Sequence, residues 1–128
     1  MTVTVVAEIG SSPAPVWNFE HWCRAAWKAG ANSIKGQMFL GEHFGAAEAV
    51  SKRPLEFPRH RLAEFVRTAH GHGLSAGVSV FDDEAVALAA QHCDFLKLAY
   101  REKQNDELTQ AAVYAARDRD LPLYRTID

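Results

Sequence analysis

The sequence has 128 residues, enough for one domain over 1–128 with a sizeable core. Apolar residues make up 48% and charged residues 23%, the balance of an ordinary globular protein. A net charge of −2 gives no electrostatic case for nucleic acid or an acidic membrane surface, and no apolar run approaches the roughly 20 residues that span a bilayer.

The N-terminus lacks a basic segment followed by a signal-like apolar run, so a cytoplasmic location is expected. Residues 3–9 read as a first strand that ends at Gly10. The stretch SSPAP (11–15) reads as a loop, because Pro13 and Pro15 deny backbone donors and disfavour helix before them. Asn18 is placed to cap a helix whose apolar stripe is Phe19, Trp22, Cys23 and Ala26, with Gly30 as its stop. SIKGQMF (33–39) is the second strand.

A long connection over 40–57 follows, with a short helical piece around 46–51; such a length in a compact domain usually shapes a binding site. A second long helix starts at Pro58, turns Leu62, Phe65, Val66 and Ala69 inward, and stops at Gly73. LSAGVSVF (74–81) is the third strand, and Asp82 and Asp83 open a helix with Val86, Ala89, Ala90 and Cys93 inward. DFLKLAY (94–100) is the fourth strand, Asn105 and Asp106 cap a helix through about Arg119, and 121–127 is the fifth strand. Cys23 and Cys93, without CxxC spacing, read as reduced, buried thiols.

The alternation predicts an α/β fold with a parallel sheet and right-handed crossovers. Composition alone does not choose between part of a TIM barrel, five parallel strands alternating with four helices, and an open five-stranded parallel α/β sheet. In both, ligands bind at the carboxyl ends of the strands. The polar residues collect there: Glu8 on strand one, Lys35 and Gln37 on strand two, Asp82 after strand three, Lys97 on strand four followed by Arg101 and Glu102, and Thr126 on strand five. Lysines at such a mouth neutralise phosphate or carboxylate, and a partly desolvated glutamate moves a proton. His70 and His72 form an HxH pair, but without a third ligand and at the wrong end of the sheet for an active site. Trp17, Trp22 and Trp27 read most simply as packing and surface aromatics. Neither GxGxxG nor GxxxxGK[ST] nor GxSxG occurs.

Lined up in order, AEIG (7–10), AAWKAGANSIKGQMF (25–39), GLSAGVSVFDDEAV (73–86), DFLKLAYRE with Asn105, and LPLYRT (121–126) resemble the N-terminal half of the sialic acid synthase family. Those enzymes are TIM barrels that condense phosphoenolpyruvate with an N-acyl amino sugar. The resemblance implies that Lys35 and Lys97 hold the phosphate and carboxylate of phosphoenolpyruvate, that Gln37 positions substrate, and that Glu8 and Glu102 act as catalytic proton handlers. Asn105 and Asp82 join the substrate-binding set, and Thr126 takes the place of a family serine that contacts phosphate. Departures are the SSPAP loop, Tyr100 at a family serine position, and Arg125–Asp128 in place of a small, glycine-ended strand.

The family's divalent metal, Mn or Mg, is held by two histidines on later strands, which lie beyond residue 128. The expectation is therefore a chain with no metal ligands of its own and metal present only if a second half is supplied. It would not be catalytically competent alone and would act as a binding or structural subunit, with copies of itself or a second protein over the open barrel face. The alternative is a phosphoenolpyruvate-condensing sugar acid synthase whose metal-binding half comes from elsewhere.

Overall fold

A computed structural model describes residues 3–10 and 17–127; the expected loop at 11–15 lies outside the described residues. Five strands form one parallel sheet in the order β1-β2-β3-β4-β5: β1 (Val6–Gly10), β2 (Ser33–Met38), β3 (Ser75–Val80), β4 (Phe95–Leu98) and β5 (Leu123–Tyr124). Between them run α1 (Phe19–Lys28), the short α2 (Ala46–Lys52), α3 (Leu62–Gly71), α4 (Asp83–His92) and α5 (Asp106–Asp118). A doubly wound sheet reverses strand order at a switch point, and this one does not. Consecutive order with crossovers of one hand puts the long helices on one face, as in the βα units of a barrel.

The core confirms that arrangement. Ile34, Met38, Ala76, Val78, Val80, Leu96 and Leu98 project from alternate strand positions into a cluster with Phe19, Cys23, Phe65, Val66, Val86 and Ala112 from the helices. Three of these five helices begin where a side chain caps free N–H groups: Asn18 Oδ1 accepts from His21 N–H at α1, Asp82 Oδ1 from Ala85 N–H at α4, and Asn105 Oδ1 from Leu108 N–H at α5. Gly30 closes α1 in the left-handed region at φ 85°, where a side chain would be strained.

Several boundaries differ from expectation. The first strand spans Val6–Gly10 rather than 3–9. The α3 helix starts at Leu62, not Pro58, because Pro58 is extended (ψ 91°) and a 3-10 turn over Arg59–Arg61 intervenes. That turn places Arg59 where it donates to the Met38 carbonyl at 2.7 Å. The fifth strand shrinks to Leu123–Tyr124, since an edge strand has a neighbour on one side only and pairs at just two positions. Ala90 is half-buried, and Ala85 takes the inward position instead. Cys23 and Cys93 are buried and free. Trp17 packs edge-on against Phe57 at 5.2 Å, while Trp27 is exposed.

The opposite face of the sheet carries no helix among the described residues. Its two upper rungs follow from strand register: Glu8, Lys35, Gly77 and Phe95 lie abreast, and above them Gln37, Ser79, Lys97 and Tyr124.

Candidate ligand-binding cleft

Lys35 and Lys97 lean from those rungs toward the carboxyl ends of the strands. Lys35 Nζ meets Glu8 Oε2 at 2.5 Å and donates to Ser79 Oγ at 2.6 Å. Glu8 is itself positioned by a bulge: the β1–β2 register shifts between Glu8 and Gly10, and Gly10 N–H donates to Glu8 Oε1 at 2.7 Å. Lys97 Nζ donates to Thr126 Oγ1 at 3.2 Å and has no carboxylate partner among the described residues. Partial burial, then the nearby Lys35 charge, push the Lys97 ammonium below the ordinary lysine range, and Glu8 offsets only part of this.

Above the lysines lies a cavity of about 250 Å³, lined by Lys35, Gln37, Ser79, Lys97, Ala99 and Arg101 and walled by Phe44, Phe81 and Tyr100. The 40–57 connection supplies the Phe44 wall. Gly41 allows it to fold closely, because a Cβ there would stand 2.7 Å from the Ala49 carbonyl oxygen. The Phe44 ring meets Phe39 edge-on at 5.1 Å, Phe39 meets Phe81 at 5.9 Å, and Arg101 lies 4.3 Å over the Phe44 ring.

Five of the expected site residues therefore converge: Glu8, Lys35, Gln37, Lys97 and Thr126. Of these, Lys35, Gln37 and Lys97 line the cavity, while Glu8 and Thr126 join it as partners of the two lysines; Asp82, Asn105 and Glu102 stand apart from the group. Asp82 caps α4 and takes a two-pronged ion pair from Arg59 at 2.9 and 3.0 Å, while His43 Nε2 approaches it at 3.4 Å. Burial alone would raise the Asp82 carboxyl, but the Arg59 hydrogen bonds, the Ala85 N–H and the charges of Arg59 and His43 hold it below the usual range. Asn105 caps α5 and donates to Glu102 Oε1 at 3.5 Å, and it lines a separate, smaller pocket with Asp82 and Asp83.

Other participants emerge only from the structure. Ser79 does carry a sequence signal: it is the polar residue between two valines on strand three, on the same period-2 face as Lys35 and Lys97. Phe44, Arg59 and His43 carry none, because they come from an irregular connection. His43 stacks on Phe81, and its Nδ1 accepts from Leu40 N–H at 2.9 Å, which leaves the proton on Nε2 toward Asp82. The HxH pair is split, His70 meeting Asp94 at 2.7 Å and His72 meeting Glu20 at 3.1 Å.

The residues present do not fit the divalent metal that the resemblance implies. Among the described residues no three His, Cys, Asp or Glu side chains converge, and the cleft presents lysine and arginine where a cation would need acceptor atoms. No helix among the described residues is long and apolar enough to cross a membrane.

No protein-family model matches the sequence, and no curated protein sequence does. Solved structures do match in fold. The N-acetylneuraminic acid (sialic acid) synthetase of Leptospira borgpetersenii serovar Hardjo-bovis, in complex with citrate, superposes with a TM-score of 0.79 at 19% identity over 98% of this chain and 53% of that one. A putative spore coat polysaccharide biosynthesis protein E from Chromobacterium violaceum gives 0.73 at 16% identity over 97% of this chain and 40% of that one. A truncated 3-deoxy-D-arabino-heptulosonate 7-phosphate synthase of Thermotoga maritima gives 0.67 at 13% identity, covering 95% and 38%. The chain thus spans about half, or less, of the length of these neighbours, and identities this low speak for fold alone. That fold is the run of parallel βα units found in TIM-barrel synthases.

Proposed function

We propose that the cleft binds a small phosphorylated carboxylate of the phosphoenolpyruvate type. The observation that carries this reading is Lys97, a partly desolvated ammonium in a cavity whose partner is a neutral hydroxyl. A cation held partly out of bulk water, with no carboxylate in direct contact, attracts an anion more strongly than one on an exposed surface. Gln37, Ser79 and Thr126 add neutral hydrogen-bonding groups beside it, and Glu8, joined to Lys35, is the carboxylate placed to exchange a proton near a bound ligand. Glu102, Asn105 and Asp82 serve this reading by holding the turns and helix starts around the cleft.

The resemblance also implies carbon–carbon bond formation with an amino sugar. Because the cleft does not suit the metal, no step is derived through it, and ligand binding is the function proposed. Calorimetric titration with phosphoenolpyruvate tests it. Binding is expected in the wild-type chain and is lost in Lys97→Ala; no heat at millimolar ligand in the wild type would defeat the reading.

A second reading, a subunit that self-associates, is supported by the bare sheet face. Val6 and Tyr124 are about half exposed beside Phe95, around a groove of about 360 Å³. Apolar sheet surface of this kind is usually covered. Light scattering is expected to show a dimer or larger species, and a monomer at high micromolar concentration would count against it.

A further inference from the structure

Resting on that binding reading, we infer that Arg101 rather than Lys35 is the second anchor of the bound anion, so that the ligand is a molecule with two separated acid groups. Lys35 is the less available cation. Its Nζ is already engaged by Glu8 at 2.5 Å and Ser79 at 2.6 Å, and the Glu8 carboxylate offsets its charge. Arg101 lines the same cavity, and no carboxylate pairs with it among the described residues.

The guanidinium is nevertheless held in place. Its Cζ lies 4.3 Å over the centre of the Phe44 ring, and Phe44 is backed by the buried Phe39, which packs with Phe81 and Ala99. Stacking uses the face of a guanidinium and leaves its N–H edge for a two-pronged bond to carboxylate or phosphate. Lys97 rises from the floor of the cavity, on β4, and Arg101 stands at the rim, in the turn that follows β4. A ligand with one acid group satisfies one of these positions; a phosphorylated carboxylate reaches both. Arg101 is thereby a specificity-determining residue for two-acid ligands.

The test compares the wild-type chain with Arg101→Gln by calorimetry at fixed ionic strength, with phosphoenolpyruvate, inorganic phosphate and pyruvate as probes. The expected result is a Kd for phosphoenolpyruvate raised about tenfold or more in Arg101→Gln, the loss of one charge-assisted contact. At least one single-acid probe, seated on Lys97, changes by less than about twofold. Arg101 is exposed, so the thermal midpoint stays within about 2 °C and reports that folding is intact. The inference is overturned if Arg101→Gln binds phosphoenolpyruvate within about twofold of wild type. It is equally overturned if all three probes weaken by one common factor, as a diffuse charge effect would produce. Failure of the wild type to bind phosphoenolpyruvate while the fold is intact removes the parent reading, and this inference with it.

Discussion

Lys97 illustrates how a single residue's surroundings set its chemistry. Its ammonium is less tightly protonated than an ordinary lysine because burial and Lys35 both disfavour charge. Anion binding requires the protonated form, so affinity for phosphoenolpyruvate should decline with rising pH before an ordinary lysine would begin to titrate. Titrations at successive alkaline pH values check this, and an affinity flat up to the ordinary lysine range would contradict it. Asp82 has the opposite sign. Its folded carboxyl is held below the ordinary value of 3.8, so its contribution is complete above that value and disappears as pH falls through the lowered one. Asp82→Ala also removes the α4 cap and a partner of Arg59, and should cost about 2–3 kcal/mol by denaturant unfolding. Burial, then neighbouring carboxylates, push the Cys23 thiol up to about 11 and the Cys93 thiol up to about 12. Native chain should therefore resist thiol reagents at neutral pH, with both cysteines reacting only after unfolding.

At the scale of elements, the cleft depends on a close fit between neighbouring strands and on the excursion after β2. Gly77 lies beneath the Phe95 ring, and a Cβ at that position would come within 2.6 Å of ring atoms. Gly77→Ala should lower stability by about 1–3 kcal/mol, since the ring has to be displaced across the open face. Gly41→Ala meets a backbone carbonyl instead of a movable ring, so α2 and the Phe44 wall must shift together. Weaker phosphoenolpyruvate binding in Gly41→Ala, with most of the stability retained, is the outcome that ties the excursion to the cleft.

For the whole molecule, the two faces of one sheet have different tasks. Ile34 is fully buried on the helix-covered face, so Ile34→Ala should cost about 2–5 kcal/mol. Val6, on the bare face, is 44% exposed, and Val6→Thr should stay within about 0.5 kcal/mol in the monomer. Denaturant unfolding of the two variants measures the contrast. Equal losses would mean that the bare face is as firmly packed as the other.

The order of elements, the three side-chain caps and the inward stripes of α1 and α3 are all legible in the sequence, because each rests on local chemistry: a period of 2 or 3.6 and a short polar side chain before a helix. That Glu8, Lys35, Gln37 and Lys97 fall near the carboxyl ends of parallel strands is also legible, because those ends share one side of a parallel sheet. Which sheet face they share is set by the strand register, and Thr126 lies beyond β5. What tertiary structure decided was strand order, and with it the choice of consecutive barrel-type units over a doubly wound sheet, since neither architecture leaves a mark in local pattern. It also decided who neutralises whom. Glu8 pairs with Lys35 across two neighbouring strands, Arg59 pairs with Asp82, and Arg101 rests on Phe44; these are contacts between residues 23 to 57 positions apart, the last two made through irregular connections. Local sequence determines which side chains reach the mouth of the sheet, but the charge they leave there depends on long-range pairing, which only the folded chain sets.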